Sequence, residues 1–156
     1  MKTIKSTSLV LAISFIGSLT AASASANEQI YFGKAIYPIL QESCLSCHAA
    51  PYKDVKGRTK KPRGGVRLDT PEWIQKGFLN DDDEQVAVVV PGDAEASSFY
   101  TLTILAEDHD DIMPVNGDPL TKEQTDSIKQ WINDGAKYGD FKAPKYVNPK
   151  SAEAAK

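Results

Sequence analysis

The chain holds two cysteines, two histidines and two methionines, and three of these six residues form one run, Cys44-Leu45-Ser46-Cys47-His48. Four chemistries use such a run. A disulfide is the default for two cysteines in an exported protein. A redox-active dithiol shares the spacing, but it belongs beside a βαβ pattern, and none is legible here. A tetrahedral zinc site fails on count, because only two Cys and two His are available and Cys47 and His48 are adjacent. Covalent attachment of haem c gives every position a task. Two thiols one helical turn apart add across the two vinyl groups of one porphyrin, and the histidine that follows is carried beneath the iron as its proximal ligand. We therefore read Cys44 and Cys47 as the thioether positions of one haem c and His48 as an iron ligand; the disulfide is the competing reading.

A haem iron with one protein ligand binds gases or peroxide, whereas one with two strong ligands shuttles electrons. Once Met1 is set aside, the search for a second ligand has two candidates, Met113 and His109. Met113 lies in Asp111-Ile112-Met113-Pro114-Val115. The proline stiffens this segment and favours an extended Met113, which suits a ligand held over a metal by its backbone. A core methionine filling space is the alternative, but an acidic, polar loop is poor surroundings for one. His109 sits among four acids, Glu107, Asp108, Asp110 and Asp111, and reads as a solvated loop histidine. If it ligated instead, the bis-histidine iron would have the lower reduction potential.

The elements that must position these groups are mostly helical in pattern. From a cap at Asn27, the apolar residues Ile30, Ile36, Ile39 and Leu40 mark a helix that leads into Cys44, with an interruption expected at Pro38. Residues 51–65 form a basic loop. Thr70 or Asp69 caps a short helix that begins at Pro71. The β-branched run 86–90 predicts an extended segment or short strand. After the turn Pro91-Gly92-Asp93, a helix over about 94–106 is expected, with Asp93 as its cap. Thr121 and Gln124 form a capping box for the last helix, whose Ile128, Trp131 and Ile132 share one face and which Gly135 stops. Residues 140–156 gain Lys, Pro and Ala without periodicity and are expected to be a flexible C-terminal tail.

Residues 1–26 are expected to be a signal peptide. Lys2 and Lys5 precede the apolar stretch 9–19, and small residues end at Ala24-Ser25-Ala26, which favours cleavage after Ala26. The stretch is too short for a comfortable membrane span. The mature chain is therefore expected to be soluble and periplasmic or secreted, with no stable membrane insertion after cleavage. Cleavage removes two lysines and no acid, which takes the formal net charge from −3 to −5. Such a balance argues against nucleic acid as a partner.

Several short motifs recur in a fixed order. They are Ile36-Tyr37-Pro38-Ile39-Leu40, the run 44–48, Gly65-Val66-Arg67-Leu68-Asp69-Thr70, Pro91-Gly92-Asp93 with Ser97, Met113-Pro114, Pro119-Leu120-Thr121, and Trp131-Ile132-Asn133-Asp134-Gly135-Ala136. In that order they resemble the planctomycete-type cytochrome c domain, a branch of the class I cytochrome c fold, over roughly residues 30–138. The resemblance implies an all-α, cytochrome c-like fold over 27–139, with terminal helices packed together and short middle helices and long loops around one haem. It implies thioethers at Cys44 and Cys47, His48 as the proximal iron ligand and Met113 as the distal one. The expected role is that of an electron carrier rather than an enzyme, passing single electrons between redox protein partners. A haem-binding subunit, or an open-site haem enzyme or sensor, is the alternative if Met113 does not ligate.

Charge is unevenly spread. Lys53, Lys56, Arg58, Lys60, Lys61 and Arg63 oppose the acidic stretches 81–84 and 107–111. A basic patch beside an exposed haem edge would steer an acidic redox partner; solvated loops without such a role are the other reading.

Overall fold

Proline 38 has no N–H to donate, so a regular helical ladder cannot pass through it. In the computed structural model, which describes residues 31–115 and 117–147, the first helix α1 (31–48) solves this with widened turns. Phe32–Ile36 and Leu40–Cys44 are π-helical, and they bracket the α-helical turn Tyr37–Ile39. Tyr37 N–H donates to the Phe32 carbonyl and Leu45 N–H to the Leu40 carbonyl, each bond spanning five residues. The interruption expected at Pro38 thus takes the form of two wide stretches, and the helix continues through Leu45–His48. The expected signal peptide 1–26, the Asn27 cap and Ile30 lie outside the described residues, as does the end of the expected tail, 148–156.

Chain order then gives a short antiparallel ribbon, β1 (Tyr52–Lys53) with β2 (Thr59–Lys60), where a basic loop was expected. Asp54 organises its tip by accepting from the backbone N–H groups of Lys56 and Arg58. Helix α2 (Pro71–Lys76) starts as expected, with Thr70 Oγ1 accepting from Trp73 N–H. Asp69, the other candidate cap, is instead held by two bonds from the Arg67 guanidinium. A second ribbon pairs β3 (Phe78–Leu79) with β4 (Gln85–Val86). Gly77 enters it at φ +69°, and a Cβ there would lie 2.0 Å from the Val86 carbonyl oxygen.

The expected strand 86–90 is therefore a strand only at its first residue; Val88 and Val89 are buried without a ladder partner. The expected helix 94–106 shrinks to one turn, α3 (Ser98–Thr101). Its competitor is Ser97, whose fully buried hydroxyl accepts from Val90 N–H at 2.8 Å and donates to the Asp93 carbonyl at 2.7 Å. That crosslink fixes 90–97 as a turn before helical pairing can start. Asp93 caps only this turn, accepting from Ala96 N–H.

The last helix, α4 (Lys122–Asn133), carries the expected capping box between Thr121 and Gln124, and Gly135 follows it at φ +97°. Its buried face packs on α1. Trp131 lies 5.3 Å from Phe32 between ring centroids, and Tyr31 Oη donates to the Ser127 carbonyl. The turn 91–94 is tied to the end of α4 by Gly92 N–H to the Ile132 carbonyl and Ala94 N–H to Asn133 Oδ1. Helices dominate the regular structure, but the two ribbons qualify the all-α expectation.

The stretch 140–147 differs most from expectation. It has no regular secondary structure, yet Phe141 stacks edge-on against Phe32 at 5.1 Å and lies 4.8 Å from Tyr37. Gly33 makes room for it, since a Cβ there would come within 2.9 Å of the Phe141 ring. Aromatic burial outweighs the segment's loop-like composition.

Candidate functional site

The end of α1 presents Cys44, Cys47 and His48 to one cleft of about 670 Å³. That size falls in the range of about 300–1,000 Å³ usual for cofactor and ligand sites. Met113 and Pro114, joined by a cis peptide, line the same cleft. Apolar side chains from several other segments line it too: Val66 and Leu68, Phe78, Val88, Phe99 and Leu102, and Leu120. Four residues spread over 70 positions of sequence thus converge on a single, largely apolar cavity.

His48 is clamped from two directions by the segment that follows the basic ribbon. Its Nδ1 lies 3.2 Å from the Val66 carbonyl, and its own carbonyl accepts from Leu68 N–H at 2.8 Å. A proton on Nδ1 satisfies the Val66 carbonyl and leaves the Nε2 lone pair for a metal. The Pro51 carbonyl, nearer in sequence, is not its partner. Burial lowers the His48 pKa; the Val66 bond opposes this, while the nearby Arg63 charge adds to it. The neutral imidazole, the form that ligates, is favoured.

The two thiols are not joined to each other. Burial, and secondarily Cys47, push the Cys44 thiol up to about 12. It is thus held protonated in this chain, a small apolar wall of the cleft.

Met113 is held by its backbone, as expected of a positioned side chain: its N–H donates to the Leu102 carbonyl at the end of α3. His109 is placed elsewhere. It is exposed, does not line the cleft, and its Nδ1 accepts from Asp111 N–H within its own loop.

The donor set and the shape fit a covalently attached haem. The cleft supplies two thiols at C-x-x-C spacing, an imidazole whose ring Val66 orients, a thioether and a largely apolar lining. Val66 and Leu102 position the two candidate ligands through main-chain carbonyls. Nothing in the sequence marks either carbonyl as the partner.

Residues 44–117 match the family model described as Planctomycete cytochrome C. No curated protein and no solved structure matches the chain. The matched stretch opens on Cys44 and extends past Met113, so it includes all four candidate residues. Residues 44–117 therefore form a planctomycete-type cytochrome c domain.

Proposed function

We propose that the protein is an extracytoplasmic monohaem c-type cytochrome that carries single electrons between redox proteins and has no substrate reaction of its own. The observation that supports this most is the convergence of Cys44, Cys47, His48 and Met113 on one cleft. A covalent haem there would supply a one-electron iron centre. The chain's own residues would do the rest. Cys44 and Cys47 would anchor the ring by thioethers. His48, oriented by Val66, and Met113, held by Leu102, would supply the two protein ligands to the iron. With protein groups serving as both ligands, one-electron chemistry there would need no change of ligand, which would keep reorganisation small. Phe78, Val88, Phe99 and Leu120 would exclude water.

Export follows from the leader-like residues 1–26, and no helix among the described residues is long and apolar enough to cross a membrane.

The test of attachment is denaturing electrophoresis of the exported protein with haem staining. Haem should migrate with the wild-type chain and be lost from the Cys44→Ala, Cys47→Ala double variant. A wild-type chain that releases all its haem on denaturation would refute covalent attachment.

A further inference from the structure

A second cleft, of about 540 Å³, adjoins the attachment run and shares no lining residue with the first. It begins two residues beyond His48, and the packed segment 143–146 closes it. Its floor is aromatic: Tyr52 and Tyr146 stand edge to face at 5.6 Å. Tyr52 Oη donates to the carbonyl of Ser46, inside the run Cys44–His48, at 2.7 Å.

The two clefts differ in charge. The charged residues lining the first are Glu42, Asp118 and Arg63, an excess of one acid. Those lining the second are Lys53, Lys145, and the mutually paired Arg67 and Asp69, an excess of two cations. Lys53 Nζ donates to the Thr59 hydroxyl, so its charge is not neutralised there, and Lys145 pairs with no carboxylate among the described residues. Along the adjoining ribbon, Asp54 takes up Arg58 and Lys60, while Lys56 and Lys61 stay outside any ion pair among the described residues. Of the six cations legible in the sequence, Lys53 lines the second cleft and Arg63 the first; the ribbon that carries most of the others borders the second cleft, while the lining of the first is weakly acidic.

We propose that this second cleft is the docking site for the redox partner, and that the partner enters it with an acidic peptide segment lying between Lys53 and Lys145 over the Tyr52–Tyr146 pair. The proposal rests on the reading of the chain as an electron carrier. Carboxylates of the segment meet the two lysines, its stems cover the phenol rings, and the ribbon's remaining cations steer the approach. The docked partner then lies one hydrogen bond from the cofactor-attachment run, through Tyr52 and Ser46. An acidic partner gains less at the first cleft, where Glu42 and Asp118 outnumber Arg63.

The experiment is an NMR titration of the ferrous holoprotein with a deca-glutamate peptide at low ionic strength, after covalent haem has been verified by its spectrum. Absence of covalent haem would strike at the carrier reading; the titration addresses docking alone. Resonances of Lys53, Thr59, Lys145 and Tyr146 should shift together. The Lys53→Glu, Lys145→Glu double variant should weaken binding at least about tenfold, as two reversed rim charges would. The Lys53→Gln, Lys145→Gln pair should weaken it less, and Lys34→Glu, a reversal on an exposed residue of α1, should leave it nearly unchanged. No binding, shifts centred on the mouth of the first cleft, or equal loss in the double variant and in Lys34→Glu would each overturn the proposal.

Discussion

Ser97 shows how much one hydroxyl can decide. It is fully buried, and it satisfies the Val90 N–H and the Asp93 carbonyl across a turn that no helix or ribbon could pair. Leaving a buried donor unsatisfied costs about 1–3 kcal/mol. Ser97→Ala should lower the stability of the holoprotein by that amount in chemical denaturation; an unchanged midpoint would show that the turn is held by other contacts. Gly77 is a backbone counterpart. At φ +69°, and with the Val86 carbonyl where a Cβ would go, Gly77→Ala combines strain with a main-chain clash. The ribbon must open to admit it, and the loss should exceed about 1 kcal/mol. The ribbon carries Phe78 into the cleft proposed to hold haem, so the variant should also alter the haem absorption envelope.

At the scale of elements, the caps and the last helix were legible because local chemistry dictates them. Thr121 with Gln124, Thr70 before Pro71, and Gly135 after α4 each satisfy orphan backbone groups without help from distant residues. What the sequence hid depends on partners far along the chain. Phe141 lies in a Lys- and Pro-rich stretch with no periodicity, and only the approach of Gly33, Phe32 and Tyr37 packs it against the core. Phe141→Ala should therefore cost about 1–2 kcal/mol, as expected of a partly buried aromatic side chain, although the composition around it reads as a tail. Equal thermal midpoints for wild type and variant would restore the tail reading. Likewise, the helix expected over 94–106 was lost to a side-chain crosslink, and the partner of His48 lay 18 residues away, at Val66.

The two capped helices also make a pH prediction. Glu72 and Glu123 each follow a cap threonine by two residues. Hydrogen bonds from their own backbone N–H, and then from that threonine, hold both carboxyls below the usual glutamate range. A folded pKa below the unfolded one means that the stabilisation is present above about pH 4.5 and is lost as pH falls through the folded values. Replacing both by Gln should lower the thermal midpoint slightly at pH 7, leave it nearly unchanged below the folded values, and so flatten the acid limb. An acid limb of the same slope would contradict the assignment.

For the whole molecule, function follows from closure of one cleft by segments distant in sequence. The packed pair α1 and α4 holds the attachment run rigid, and the turn 90–97, tied to α4, seats α3, which in turn holds Met113 through Leu102. Intact mass of the exported protein should equal the chain from Asn27 plus one haem; a mass that retains residues 1–26 would mean an uncleaved anchor instead of a released carrier. The most direct test of the central claim, two protein ligands on one covalent haem, is the absorption spectrum of the purified protein, oxidised and reduced, beside Met113→Ala. We expect a haem c spectrum with a weak far-red methionine–iron band in the oxidised wild type. In Met113→Ala that band should be gone, and the ferrous protein should bind carbon monoxide, which the wild type excludes. A wild type without the band that binds carbon monoxide as the variant does would contradict the account and make the protein an open-site haem protein.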